Sequence, residues 1–115
     1  MSQEIIVRVF DVVGGPLCVA SDDGTLVYDK LAPLLREGKK VALSFAQVDT
    51  VISAFLNAAI GQLYGEFTEG EIRERLSVRD MPSEDLVLLK RVVENAKAYF
   101  KDPKRFKEAV GENDA

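Results

Sequence analysis

Between Lys40 and Gly61 the apolar residues change period. In "KVALSF", Lys40 to Phe45, Val41, Leu43 and Phe45 alternate with Ala42 and Ser44, as in a central strand packed on both sides. After Ala46 to Thr50, the apolar residues Phe55, Leu56, Ala59, Ile60 and Leu63 recur at helical spacing, so a helix is expected to start near Ser53 and to end at Gly65. A strand that feeds an amphipathic helix commits the chain to a sheet with helices laid on it, and the remaining segments must fit around that unit.

"EIIVRVFDVV", Glu4 to Val13, is dense in β-branched residues and ends at Gly14-Gly15-Pro16. This predicts a first strand, joined as a hairpin to a short second one, Leu17 to Ser21, that stops at Asp22-Asp23-Gly24. From Thr25, Val27, Leu31, Leu34 and Leu35 give a helix, with Arg36, Lys39 and Lys40 at its negative end, Gly38 as a stop and a kink expected from Pro33. "TEGE", Thr68 to Glu71, is a capping box opening a short helix to about Leu76. Leu76 to Pro82 reads as a short edge strand. Ser83 is expected to cap a long helix with the stripe Leu86, Leu89, Val93, Ala96 and Phe100, which Asp102-Pro103 stops before a last turn through Val110 and a frayed "GENDA". With no repeat or linker, residues 1–115 read as one domain, with a core over about 4–102 and an extension over 103–115.

Composition narrows the chemistry. Fifteen Lys and Arg stand against 19 Asp and Glu, a formal net charge of −4, which speaks against nucleic acid as a partner. The basic stretch Lys101 to Lys107 is followed by acidic residues and reads as a solvated face. One cysteine, Cys18, and no histidine leave no disulfide, no thiolate or imidazole cluster for a metal and no histidine base. There is no glycine-rich phosphate loop, and no cofactor is expected. Glu66, Glu69, Glu71 and Glu74 are explained by capping and solvation, and Cys18 by burial, so the chain reads as noncatalytic. The start lacks the pattern of a signal peptide, and no apolar run approaches the ~20 residues of a membrane span; a soluble, cytoplasmic protein is the expectation.

The order strand, strand, helix, strand, helix, short helix, strand, helix, with "SFAQVDTVISAFLNAAIG" at its centre, resembles the STAS domain, named for sulfate transporters and anti-sigma factor antagonists. It is most similar to the small STAS-like branch of unknown function, through Val41, Ser44, Phe45, Val48, Ser53 and Phe55. The resemblance implies a single α/β (α+β) domain with a central mixed sheet of about four strands and helices mainly on one face. It also implies a regulatory protein–protein interaction module of bacterial signalling, with a histidine-kinase-like ATPase as partner. In the antagonists a serine at the start of this helix is phosphorylated by the partner kinase, which releases the complex. Their pattern of an acidic residue, two serines and a glycine falls here on Ile52, Ser53, Ala54 and Phe55. The phosphoacceptor position is therefore Ala54, and Ser53, one residue early, reads first as a helix cap and second as a phosphoacceptor.

The candidate docking residues are Asp49, Thr50, Ser53, Ala54 and Asn57. Asn57 shares helical spacing with Ser53 and Gly61, which gives either a flat strip for another protein or close packing within the chain that accounts for a glycine there. A small-molecule (nucleotide) binding module and an enzyme using carboxylates or Cys18 remain as alternatives, and self-association through the "LCVAS" strand stays open.

Overall fold

The structure is a computed structural model and describes residues 3–101. Three strands, β1 (Glu4–Arg8), β3 (Lys40–Ser44) and β5 (Leu76–Arg79), form a parallel sheet in the order β1-β3-β5. Two further strands, β2 (Leu17–Cys18) and β4 (Thr50–Val51), form a second parallel pair. The helices are α1 (Val9–Val13), α2 (Ser21–Arg36), α3 (Ser53–Ala59), a 3-10 helix (Gly61–Gly65), α4 (Glu69–Arg75) and α5 (Ser83–Lys101). Among the described residues no helix is long and apolar enough to cross a membrane.

The strand-then-helix unit stands as its periodicity predicts. Every residue of β3 after Lys40 is buried, Phe45 with it, and β3 is the centre of its sheet with β5 at the edge. Phe55, Leu56, Ala59, Ile60 and Leu63 are all buried, although α3 ends at Ala59 and the 3-10 helix completes the run to Gly65. The capping box is present: Thr68 Oγ1 accepts from the Glu71 amide at 3.1 Å, and the Thr68 amide donates to Glu71 Oε1 at 2.9 Å. Gly38 sits at φ 77°, the left-handed geometry of a helix stop. Ser44, the one buried polar side chain of the strand, donates to Asp80 Oδ2 at 2.7 Å and accepts from the Ala46 amide at 3.2 Å, so its burial leaves no lone donor.

The sheet departs from the expectation in strand number and direction: two small parallel sheets stand in place of one mixed sheet of about four strands. The segment Glu4 to Val13 is a strand only to Arg8, where its partner β3 ends at Ser44, and it then coils into α1 with Val9 fully buried. Density in β-branched residues marks a half-buried surface rather than a strand as such, and with no ladder left the chain turns helical. Gly14, at φ 88°, caps α1 instead of making a hairpin turn, its amide donating to the Phe10 carbonyl at 2.8 Å. With a helix between them, β1 and β2 cannot pair as neighbours, and β2 lies parallel to β4.

Asp22-Asp23-Gly24 likewise does not stop a strand; it forms the first turn of α2, where the two carboxylates meet the positive end of the helix dipole. α2 continues through Pro33 to Arg36. Ser83 is the first residue of α5 rather than its cap, as the Asp85 and Leu86 amides bond to the Pro82 carbonyl. Val92 and Ala96 are the buried centre of the α5 stripe, and Leu86 is exposed. The expected stop at Asp102-Pro103, the turn through Val110 and the "GENDA" end lie outside the described residues.

Candidate functional site

The corner between β4 and α3 is clamped from below by the loop that precedes β2. The amides of Asp49 and Thr50 both donate to the Pro16 carbonyl, at 2.8 and 3.3 Å, and the Ile52 amide donates to the Cys18 carbonyl at 3.1 Å. Asp49, Thr50, Ser53, Ala54 and Asn57 are all exposed on this frame.

Ser53 does not cap the helix. The Ile52 carbonyl accepts the first helical bond, from the Leu56 amide at 3.2 Å, so Ile52 is the N-cap and Ser53 the first helical residue, and no side chain caps α3. The helix starts one residue earlier than a serine-first reading requires, and its cap position is held by an apolar side chain. That choice forgoes roughly 1 kcal/mol that Asp, Ser or Asn would supply at the same place.

The five candidates divide into two adjoining surfaces. Thr50 belongs with the outer face of the β2–β4 pair, and Asp49 is exposed just before it. Cys18 and Val51 point inward, 0% and 9% exposed, so their neighbours in the register point outward: Leu17 is 52% exposed, Val19 47% and Ile52 37%. Ser53, Ala54 and Asn57 instead line a groove of about 500 Å³ between α3 and α5, with Gln62 of the 3-10 helix and the α5 face from Val92 to Phe100. The apolar patch was visible in sequence only as the short run "LCVAS"; the groove was not visible at all, although Asn95, a lone amide among apolar spacings in α5, is the kind of residue that marks one.

Gly61 is explained within the chain. A Cβ there would lie 2.5 Å from Asn57 Oδ1 and 3.5 Å from Ala96 Cβ, so the glycine lets the Asn57 side chain lie back over the helix end and lets α5 approach. The close neighbour is the tip of a mobile side chain. Gly61→Ala is therefore expected to change stability by no more than about 1 kcal/mol in urea unfolding while displacing the Asn57 amide.

A second depression, of about 460 Å³, shares Gln62 and Phe100 with the groove. Two of its polar groups are engaged with each other and with α2: Tyr28 donates to Glu66 Oε1 at 3.0 Å, and Arg36 pairs with the same carboxylate. The Arg36 guanidinium holds the Glu66 carboxyl below the usual carboxylate range, so this link between α2 and the 3-10 helix is complete at neutral pH and weakens as acid protonates Glu66.

Cys18 is fully buried, and burial, with Asp23 adding to it, pushes its thiol up to about 11. At pH 8 about one molecule in a thousand then carries the thiolate. A maleimide or disulfide reagent is expected to label the folded chain at least tenfold more slowly than the urea-unfolded chain, and equal rates would contradict this placement. Among the described residues no group of three or more His, Cys, Asp or Glu side chains is placed to hold a metal.

A family model described as a STAS-like domain of unknown function, DUF4325, matches residues 23–86, more than half of the chain. The chain belongs to this family. The match runs from the first turn of α2 into the first turn of α5, so the corner of this STAS-like chain lies inside it and the α5 wall of the groove lies beyond it. Neither the curated proteins nor the solved structures give a match.

Proposed function

We propose that this STAS-like chain is a noncatalytic regulatory interaction module that docks a protein partner through the corner spanning Asp49 to Asn57. The observation that carries the reading is the apolar N-cap: Ile52 stands exposed where a carboxylate or hydroxyl would serve the helix better, and Leu17 and Val19 stand exposed beside it. Adjacent exposed apolar side chains rimmed by Asp49, Thr50 and Ser53 have the composition of a protein contact.

The partner is a histidine-kinase-like ATPase of a bacterial, cytoplasmic pathway, the company that the family resemblance implies. Docking is the main use of the corner and phosphorylation a lesser one, because Ala54 occupies the acceptor position, Ser53 is the one hydroxyl of the Ile52 to Phe55 motif and Thr50 lies outside it. A phosphate on Ser53 would add about −1.5 to −2 charges at the junction of the two surfaces and oppose docking. The groove favours a nucleotide less, since its described lining residues include no cation to hold a phosphate.

Capture from the native host with the full chain as bait, followed by mass identification of partners and of Ser53, tests the reading. An ATPase of this type bound to chain with unmodified Ser53 is the expected result. A monodisperse chain with no partner under several growth conditions would contradict it.

A further inference from the structure

The groove between α3 and α5 carries an unusual set of polar groups. Asn57 comes from α3, Gln62 from the 3-10 helix and Asn95 from α5; all three are exposed, and none of these amides hydrogen-bonds to another described residue, unlike Tyr28 and Glu66 on the far side of Gln62. A primary amide offers donors and an acceptor at once, the pairing that a peptide main chain presents in reverse. Between the amides the walls are small: Ala54 and Ala96 let a backbone come close. At one end Tyr99 and Phe100 meet edge to face with ring centroids 5.0 Å apart and offer a seat for an apolar side chain.

Length and charge narrow the occupant. The α5 wall from Val92 to Phe100 spans eight helical steps, about 12 Å, which an extended chain covers with about four residues. No Asp, Glu, Lys or Arg is among the described lining residues, so a charged segment would be desolvated there without a counter-ion. The chain's own 102–115 segment, with seven charged residues among its 14, is poorly matched on that ground.

We propose that this groove binds an extended, uncharged peptide segment of the docking partner, Asn57, Gln62 and Asn95 pairing with its main chain and the Tyr99–Phe100 end seating an apolar side chain. The proposal rests on the docking reading above and gives it a second contact, next to the apolar patch.

The test pans a random heptapeptide library displayed on phage against the full chain and titrates the synthetic selected peptides by fluorescence anisotropy. Selected peptides are expected to carry at least four consecutive uncharged residues. Asn57→Ala and Asn95→Ala, both at exposed positions, are each expected to weaken them at least tenfold with Tm retained, as is Gly61→Ala through the displaced Asn57 amide, while Ile52→Asp leaves them unchanged. Charged peptides, or peptides indifferent to both asparagine variants, overturn the proposal. So do side-chain amide resonances of Asn57 and Asn95 that move with adenosine, with a synthetic 102–115 peptide or with protein concentration and not with the selected peptides. No peptide selected while Ile52→Asp abolishes partner capture sinks the groove site alone; peptides selected while Ile52→Asp leaves capture intact keeps the groove and sinks the corner reading.

Discussion

Replacing Gly24 by alanine is expected to lower the unfolding free energy by about 3 kcal/mol, the upper part of the range for overpacking, read as a fall in Tm of at least about 10 °C. The added Cβ would stand 2.4 Å from the Phe55 carbonyl oxygen, 2.8 Å from Ala58 Cβ and 3.2 Å from the Ala59 amide nitrogen. Two of these neighbours are helix backbone, so the clash is relieved only by moving α2 away from α3. That separation would open the core around Val27, Leu31, Phe55 and Leu56, all fully buried. Alanine's better helix propensity returns up to about 1 kcal/mol, too little to change the sign. Gly61→Ala is the matched control, because its close neighbour is a side-chain tip; equal losses at both glycines would contradict the helix-on-helix account.

The second large effect falls on docking. Ile52→Asp is expected to weaken the captured partner at least 100-fold, about 2.7 kcal/mol by the affinity scale, and to leave the fold as stable or more so. The two halves of this expectation have separate causes. An aspartate at the N-cap of α3 supplies the side-chain acceptor that the helix lacks, worth about 1 kcal/mol, and places a negative charge at the positive end of the dipole. That gain offsets the loss of the part of Ile52 that is covered. At the interface the same carboxylate would be desolvated against a partner shaped for an apolar group, which binding does not tolerate.

Elements whose evidence is local were legible in the sequence. The alternation of Val41, Leu43 and Phe45, the helical stripe from Phe55 to Leu63, the box at Thr68 and Glu71 and the edge strand before Pro82 all report on the residues' own neighbours along the chain. What failed depended on distant partners. Nothing near Arg8 says that β3 ends beside it, and Asp22-Asp23-Gly24 has the composition of a turn; Gly24 is a glycine because the Phe55 carbonyl passes over it. The five candidate residues are exposed at the corner, but the cap falls on Ile52 rather than on Ser53, because a serine at a helix start resembles a cap whether or not the first bond is accepted one residue earlier. The groove needs α5 laid against α3, a contact that periodicity marks on each helix separately and cannot join.

The most direct measurement of docking through the corner is calorimetric titration of the captured partner into the wild-type chain and into Ile52→Asp, with Tm recorded for both. Docking through the apolar corner predicts a loss of at least about 100-fold in affinity with Tm equal or higher in the variant. Affinity unchanged within about twofold, with the fold intact, would contradict it.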